Sequence, residues 1–91
     1  MTQQYRPVGN LAVEVAVATA TTSGTVTTVR IYIRSKTAVV SPTTFITTYA
    51  LEHEVVSHAG LSEDTEFSTY TLIRTDTYDD SFVYVVDATV S

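Results

Sequence analysis

Two stretches of this chain alternate apolar and polar side chains with a period of two. From Leu11 to Val17, Leu11, Val13, Val15 and Val17 face one way and Ala12, Glu14 and Ala16 the other; from Val29 to Arg34, Val29, Ile31 and Ile33 oppose Arg30, Tyr32 and Arg34. A strand sends successive side chains to opposite faces, so this pattern builds one dry and one wet face, which a helix of 3.6 residues per turn does not. The surrounding residues are rich in threonine and valine, whose branched β-carbons suit a pleated strand and disfavour helix.

The two stretches predict a hairpin. Pairing Thr21 with Thr25 leaves Thr22-Ser23-Gly24 as a three-residue loop, with Gly24 at the left-handed position of a type I turn plus G1 bulge. That register sets Val17 opposite Val29, Val15 opposite Ile31 and Val13 opposite Ile33. It also sets Glu14 opposite Tyr32 and diagonal to both arginines. A slip of one residue would turn the arginines inward.

Further along, Thr37 to Ser41 reads as a short strand interrupted by Pro42, and Thr43 to Leu51 as another, with Phe45, Thr47, Tyr49 and Leu51 on one side. Glu66 to Thr75 and Ser81 to Val90 predict a second hairpin across the loop 76–80. Ahead of that hairpin, Leu51, Val55 and Val56 followed by Gly60 fit a short helix near 51–59 with a glycine cap. The β-branched pair Val55-Val56 and the lack of an N-cap favour an extended or irregular path instead. Together these elements predict an all-β chain: a small antiparallel β-sandwich, Ig-like or related, of six to seven short strands. An N-terminal arm, residues 1–7, precedes this single domain, residues 8–91.

Composition narrows the function. Ten acids against five bases give a net charge of −5, opposite to the clustered Lys and Arg that release counterions from nucleic acid or anionic lipid. No apolar run is long enough for a membrane-spanning helix, and Met1 to Pro7 lack the apolar segment of a signal peptide. The chain has no cysteine, hence no disulfide, thiolate metal site or thiol nucleophile. Charged residues make up only 16%, low for a free monomer and suited to a subunit that covers part of its surface.

No motif carries chemistry. His53-Glu54-Val55-Val56-Ser57-His58 resembles a zinc-protease signature, but that motif needs histidines four apart, and Ser57 stands where the second belongs. The acids at 63–66 and 76–80 lack the alternating spacing and glycine of a calcium loop. No Gly-x-Ser-x-Gly frames a serine, and Gly9, Gly24 and Gly60 are too far apart to cradle a phosphate. No catalytic, cofactor-binding or metal-binding residue is therefore assigned, and the chain is expected not to be an enzyme.

What remains is surface. Arg30, Tyr32 and Arg34 form an outward row suited to a protein partner, with cross-strand charge pairing as the plainer explanation. Tyr5 and Arg6 are the residues of the arm with which it would grip a neighbour. The expected function is a non-catalytic structural or assembly module binding other proteins as a homo-oligomer or within a larger assembly, without nucleic acid or membrane. A virion component, decorating a capsid or associated with a tail, is its concrete version. The alternative is a small acidic inhibitor or binding module that acts as a monomer and offers its loops Glu63 to Glu66 and Asp76 to Asp80, Asp79 and Asp80 among them, to a basic site on one target.

Overall fold

The computed structural model describes residues 5–7, 13–18, 20–39, 41–48 and 52–90. The element order is β1 (Arg6–Pro7), β2 (Val13–Val17), β3 (Thr21–Ser23), β4 (Val26–Ser35), α1 (Pro42–Thr48), α2 (Glu52–Ala59), β5 (Phe67–Tyr78) and β6 (Ser81–Val90). The chain is mostly antiparallel β-sheet. Its strands form one six-stranded sheet in the order β1-β2-β4-β6-β5, with β3 also pairing β4.

The alternating pattern acts as expected at the level of faces. Val29, Ile31 and Ile33 of β4 are buried together with Val13 and Val15 of β2 and Tyr84, Val86 and Ala88 of β6. The layer over this face, however, is not a second sheet. Among the described residues it consists of the two helices, which bring Phe45, Ile46, Val55 and Ala59 into the same core. The two-sheet sandwich is not confirmed: among the described residues one sheet and a helical layer enclose the core.

Three local expectations change with it. Thr37 to Ser41 holds no strand among its described residues: buried Ser35 ends β4 and accepts a hydrogen bond on its hydroxyl from the Thr37 N–H at 3.2 Å, bending the chain away. The strand expected from Thr43 is α1, and Tyr49 and Leu51 lie outside the described residues. Buried Pro42, Phe45 and Ile46 recur at helical spacing, and packing on the sheet outweighs the β-preference of the threonines between them. The start signal was present in Ser41-Pro42: the Ser41 carbonyl accepts the Phe45 N–H at 2.9 Å, the first helical bond, and proline suits the first helical position.

The third is α2, a helix where the β-branched pair Val55-Val56 predicts an extended path. Val55, Val56 and Ala59 turn inward while Glu54, Ser57 and His58 face out. Its end is a Schellman motif: Leu61 N–H donates to the Val56 carbonyl at 3.1 Å and Gly60 N–H to the Ser57 carbonyl at 3.3 Å. Gly60 sits at φ 78, the left-handed conformation this stop requires.

The first hairpin keeps its faces but not its register. Val17 pairs with Ile31, Val15 with Ile33 and Val13 with Ser35, a shift of two from the expected partners, and Glu14 faces Arg34 rather than Tyr32. A two-residue shift preserves which side chains point inward, so the hydrophobic pattern does not resist it. The turn is tighter than the expected three-residue loop: Ser23 pairs with Val26, leaving Gly24-Thr25, with Gly24 at φ 64 as in a type II′ turn. Three residues separate Val17 from Thr21, whereas two separate Thr28 from Ile31, so the register along β4 changes by one between β2 and β3.

The second hairpin forms between β5 and β6, with Tyr78 paired to Ser81. The expected loop shrinks to Asp79-Asp80, both at positive φ (47 and 65), which is a type I′ turn.

Candidate functional site

The sheet face opposite the helices carries the row expected from the sequence. Arg30, Tyr32 and Arg34 lie there half-buried, between β2 on one side and β6 on the other. Beside Tyr32 sit Ala16 and Val85, 1% and 0% exposed although they point away from the helical layer. The aliphatic stems of the neighbouring arginines and the Tyr32 ring suit the role of covering such small apolar groups while their polar ends reach water.

Both guanidinium groups of the row are held by carboxylates. Arg30 donates from Nε to Asp87 Oδ1 at 2.8 Å and from Nη2 to Asp87 Oδ2 at 3.1 Å, a bidentate fork that fixes the plane of the group. The hydrogen bond to Asp87 is the main reason the Arg30 pKa is raised further, with burial opposing it. Arg34 donates from Nε and Nη2 to the single oxygen Oε1 of Glu14, at 3.1 and 2.8 Å. Cross-strand charge pairing of the row is therefore observed. Glu14 is the partner that the sequence offers the row, whereas nothing in the sequence places the strand of Asp87 beside β4.

Tyr5 completes the row. Its ring lies under Arg34, with the guanidinium carbon 4.0 Å from the ring centroid. Burial pushes the Tyr5 phenol above its ordinary value of 10.0, against the opposing pull of Arg34. Arg6 and Pro7 form β1 on Val15 and Glu14, so residues 5–7 of the expected arm lie on the chain's own sheet. Met1 to Gln4 lie outside the described residues.

A third pair, Arg74 Nε to Asp76 Oδ2 at 2.7 Å, stands on β5 toward the same face, because these residues pair with Val85 and Val83. The three pairs neutralise three arginines and three acids. The excess of acid therefore lies elsewhere: five acids fall within 52–66 and two more are Asp79 and Asp80. These two groups flank opposite ends of β5, which runs from Phe67 to Tyr78, a span of about 36 Å for an extended strand. Asp79 and Asp80 stand exposed at the hairpin tip, at the end of β5 away from Glu66.

At one end of the ion-paired row, Ala18, Thr21, Thr28, Arg30 and Asp87 line an open hollow of about 450 Å³. Its charged lining is the Arg30–Asp87 fork, whose facing edges are already engaged with each other. Positions 53 and 58 both fall on α2, roughly 140° apart around its axis. No helix among the described residues is long and apolar enough to cross a membrane. Comparison with protein-family models, with curated proteins and with solved structures yields no match.

Proposed function

We propose that this chain is a non-catalytic subunit of a larger protein assembly, with a capsid-decorating or tail-associated virion component as the concrete version. The observation that carries this reading is the asymmetry of the sheet. Its helical face is dry, while its other face has no covering layer among the described residues and bears Tyr5, Arg30, Tyr32 and Arg34 with their charges cancelled. Interfaces between proteins concentrate tyrosine and arginine and are poor in unbalanced charge at their centre. The cysteine-free sequence, with 16% charged residues, supports the same reading. The monomeric inhibitor is less well supported, since its two acidic loops stand at opposite ends of a long strand and do not make one surface.

A native mass spectrum of material from its natural source tests the proposal. The chain is expected within a complex many times its own 9.9 kDa, released when Tyr32→Glu or Arg34→Glu is introduced and retained with Asp79→Lys and Asp80→Lys. A lone 9.9 kDa species, or release by the turn variants only, would refute it.

A further inference from the structure

The edge strand β5 presents a different surface. It is the outermost strand on its side of the sheet, and every residue from Thr71 to Tyr78 is exposed. Three of the exposed large apolar residues of the chain lie on it: Leu72 at 42%, Ile73 at 43% and Tyr78 at 71%. Natural edge strands are shortened, covered or studded with lysine to prevent pairing with another strand. This one is twelve residues long and has no lysine, and although its register shifts between Phe67 and Thr69 and between Leu72 and Arg74, the stretch from Arg74 to Tyr78 is regular.

We infer that β5 pairs antiparallel with β5 of a second copy of this chain, about a two-fold axis through Thr75. The charges of the strand select this register. With Thr75 opposite its own copy, Arg74 of each chain faces Asp76 of the other, and both residues lie on the open face of the sheet. The intrachain Arg74–Asp76 pair then becomes a ring of four alternating charges. Self-complementarity of this kind is what a two-fold contact demands, since one patch serves both partners. The axis is normal to the sheet, so the two open faces remain on the same side and join into one continuous surface. Outward amides and carbonyls of β5 gain partners, and Leu72, Ile73 and Tyr78 lose water.

This inference rests on the assembly reading, and mixing two charge variants of the full chain tests it separately. Wild-type protein is expected to sediment as a dimer that dissociates on dilution, with the β5 amides losing hydrogen-exchange protection at the same concentrations. Arg74→Asp places like charges opposite each other twice, as does Asp76→Arg, and each variant alone should dimerise more weakly by roughly tenfold or more. Mixed in equal amounts, one chain brings two acids to the edge and the other two bases, so the pair should form a heterodimer. An intrachain role for Arg74 and Asp76 predicts no such rescue. Both side chains are about half exposed, and unchanged far-ultraviolet dichroism will confirm that the variants fold. If wild type self-associates but neither variant weakens it, or the mixture associates no better than its components, the β5 contact is wrong and the assembly reading stands. If wild type remains a monomer at every concentration the β5 contact is wrong, and if it also occurs alone in its source the assembly reading falls with it.

Discussion

Arg30 and Asp87, fifty-seven positions apart in sequence, face each other across the β4–β6 ladder and share two parallel hydrogen bonds of 2.8 and 3.1 Å. The pair is half open to water on the arginine side, 42% exposed against 20% for the carboxylate, so screening limits its worth. Asp87→Ala is expected to lower stability by about 1 kcal/mol. Arg30→Lys should cost nearly as much, since an ammonium does not reproduce the fork. A double-mutant cycle read by urea denaturation measures the coupling, and a value indistinguishable from zero would remove the pair from the list of stabilising contacts.

A second long-range contact ties the loop after β4 to the core. The Val39 N–H donates to the Tyr84 hydroxyl at 2.8 Å, and Tyr84 is buried. Tyr84→Phe keeps the ring and its packing but leaves the amide without its acceptor, at a cost of about 1–2 kcal/mol. The expected signature is faster hydrogen exchange at Val39 alongside a lower unfolding midpoint.

The β5–β6 turn and the cap of α2 both place residues at positive φ, where glycine is favoured. Asp79 and Asp80 both occupy positive φ, which costs residues with a β-carbon, and Asn-Gly suits the type I′ turn better. Replacing Asp79-Asp80 by Asn-Gly should stabilise the protein by about 1 kcal/mol, seen as a raised thermal midpoint. Gly60→Ala should destabilise it by about 1 kcal/mol through the backbone alone, because an added β-carbon there meets nothing within 4 Å.

The phenol of Tyr5 sets an alkaline limit. Burial raises its folded-state pKa above the model-peptide value of 10.0, so folding favours the neutral form. The unfolded chain ionises first as pH rises. The contribution of Tyr5 is therefore complete below pH 10.0 and is lost as pH climbs through the folded-state value. Urea midpoints measured from pH 8 to about 11 should fall less steeply for Tyr5→Phe than for wild type. Identical slopes would mean that Tyr5 titrates alike in both states.

Where each side chain points on β2 and β4 was readable because it depends on parity. Val13, Val15, Val29, Ile31 and Ile33 all face the core, while Arg30, Tyr32 and Arg34 all face the other way, whichever register the strands adopt. The same argument could not find Asp87, because nothing local to Arg30 says that β6 lies beside β4. At residues 43–48 threonine's preference for strands points one way and the burial of Phe45 and Ile46 against the sheet points the other, and the helix wins.

The sequence by itself determined the β-rich character of the chain, the dry face of its first strands and the glycines that end α2 and turn the first hairpin. Those properties arise within a few residues, from the two-residue period of a strand and the left-handed backbone that glycine tolerates. Only the tertiary structure decided what covers the dry face, which strands are neighbours and which register they take. A shift of two residues leaves every side chain on its own face, and helix or sheet can bury the same valines, so packing between distant segments makes the choice.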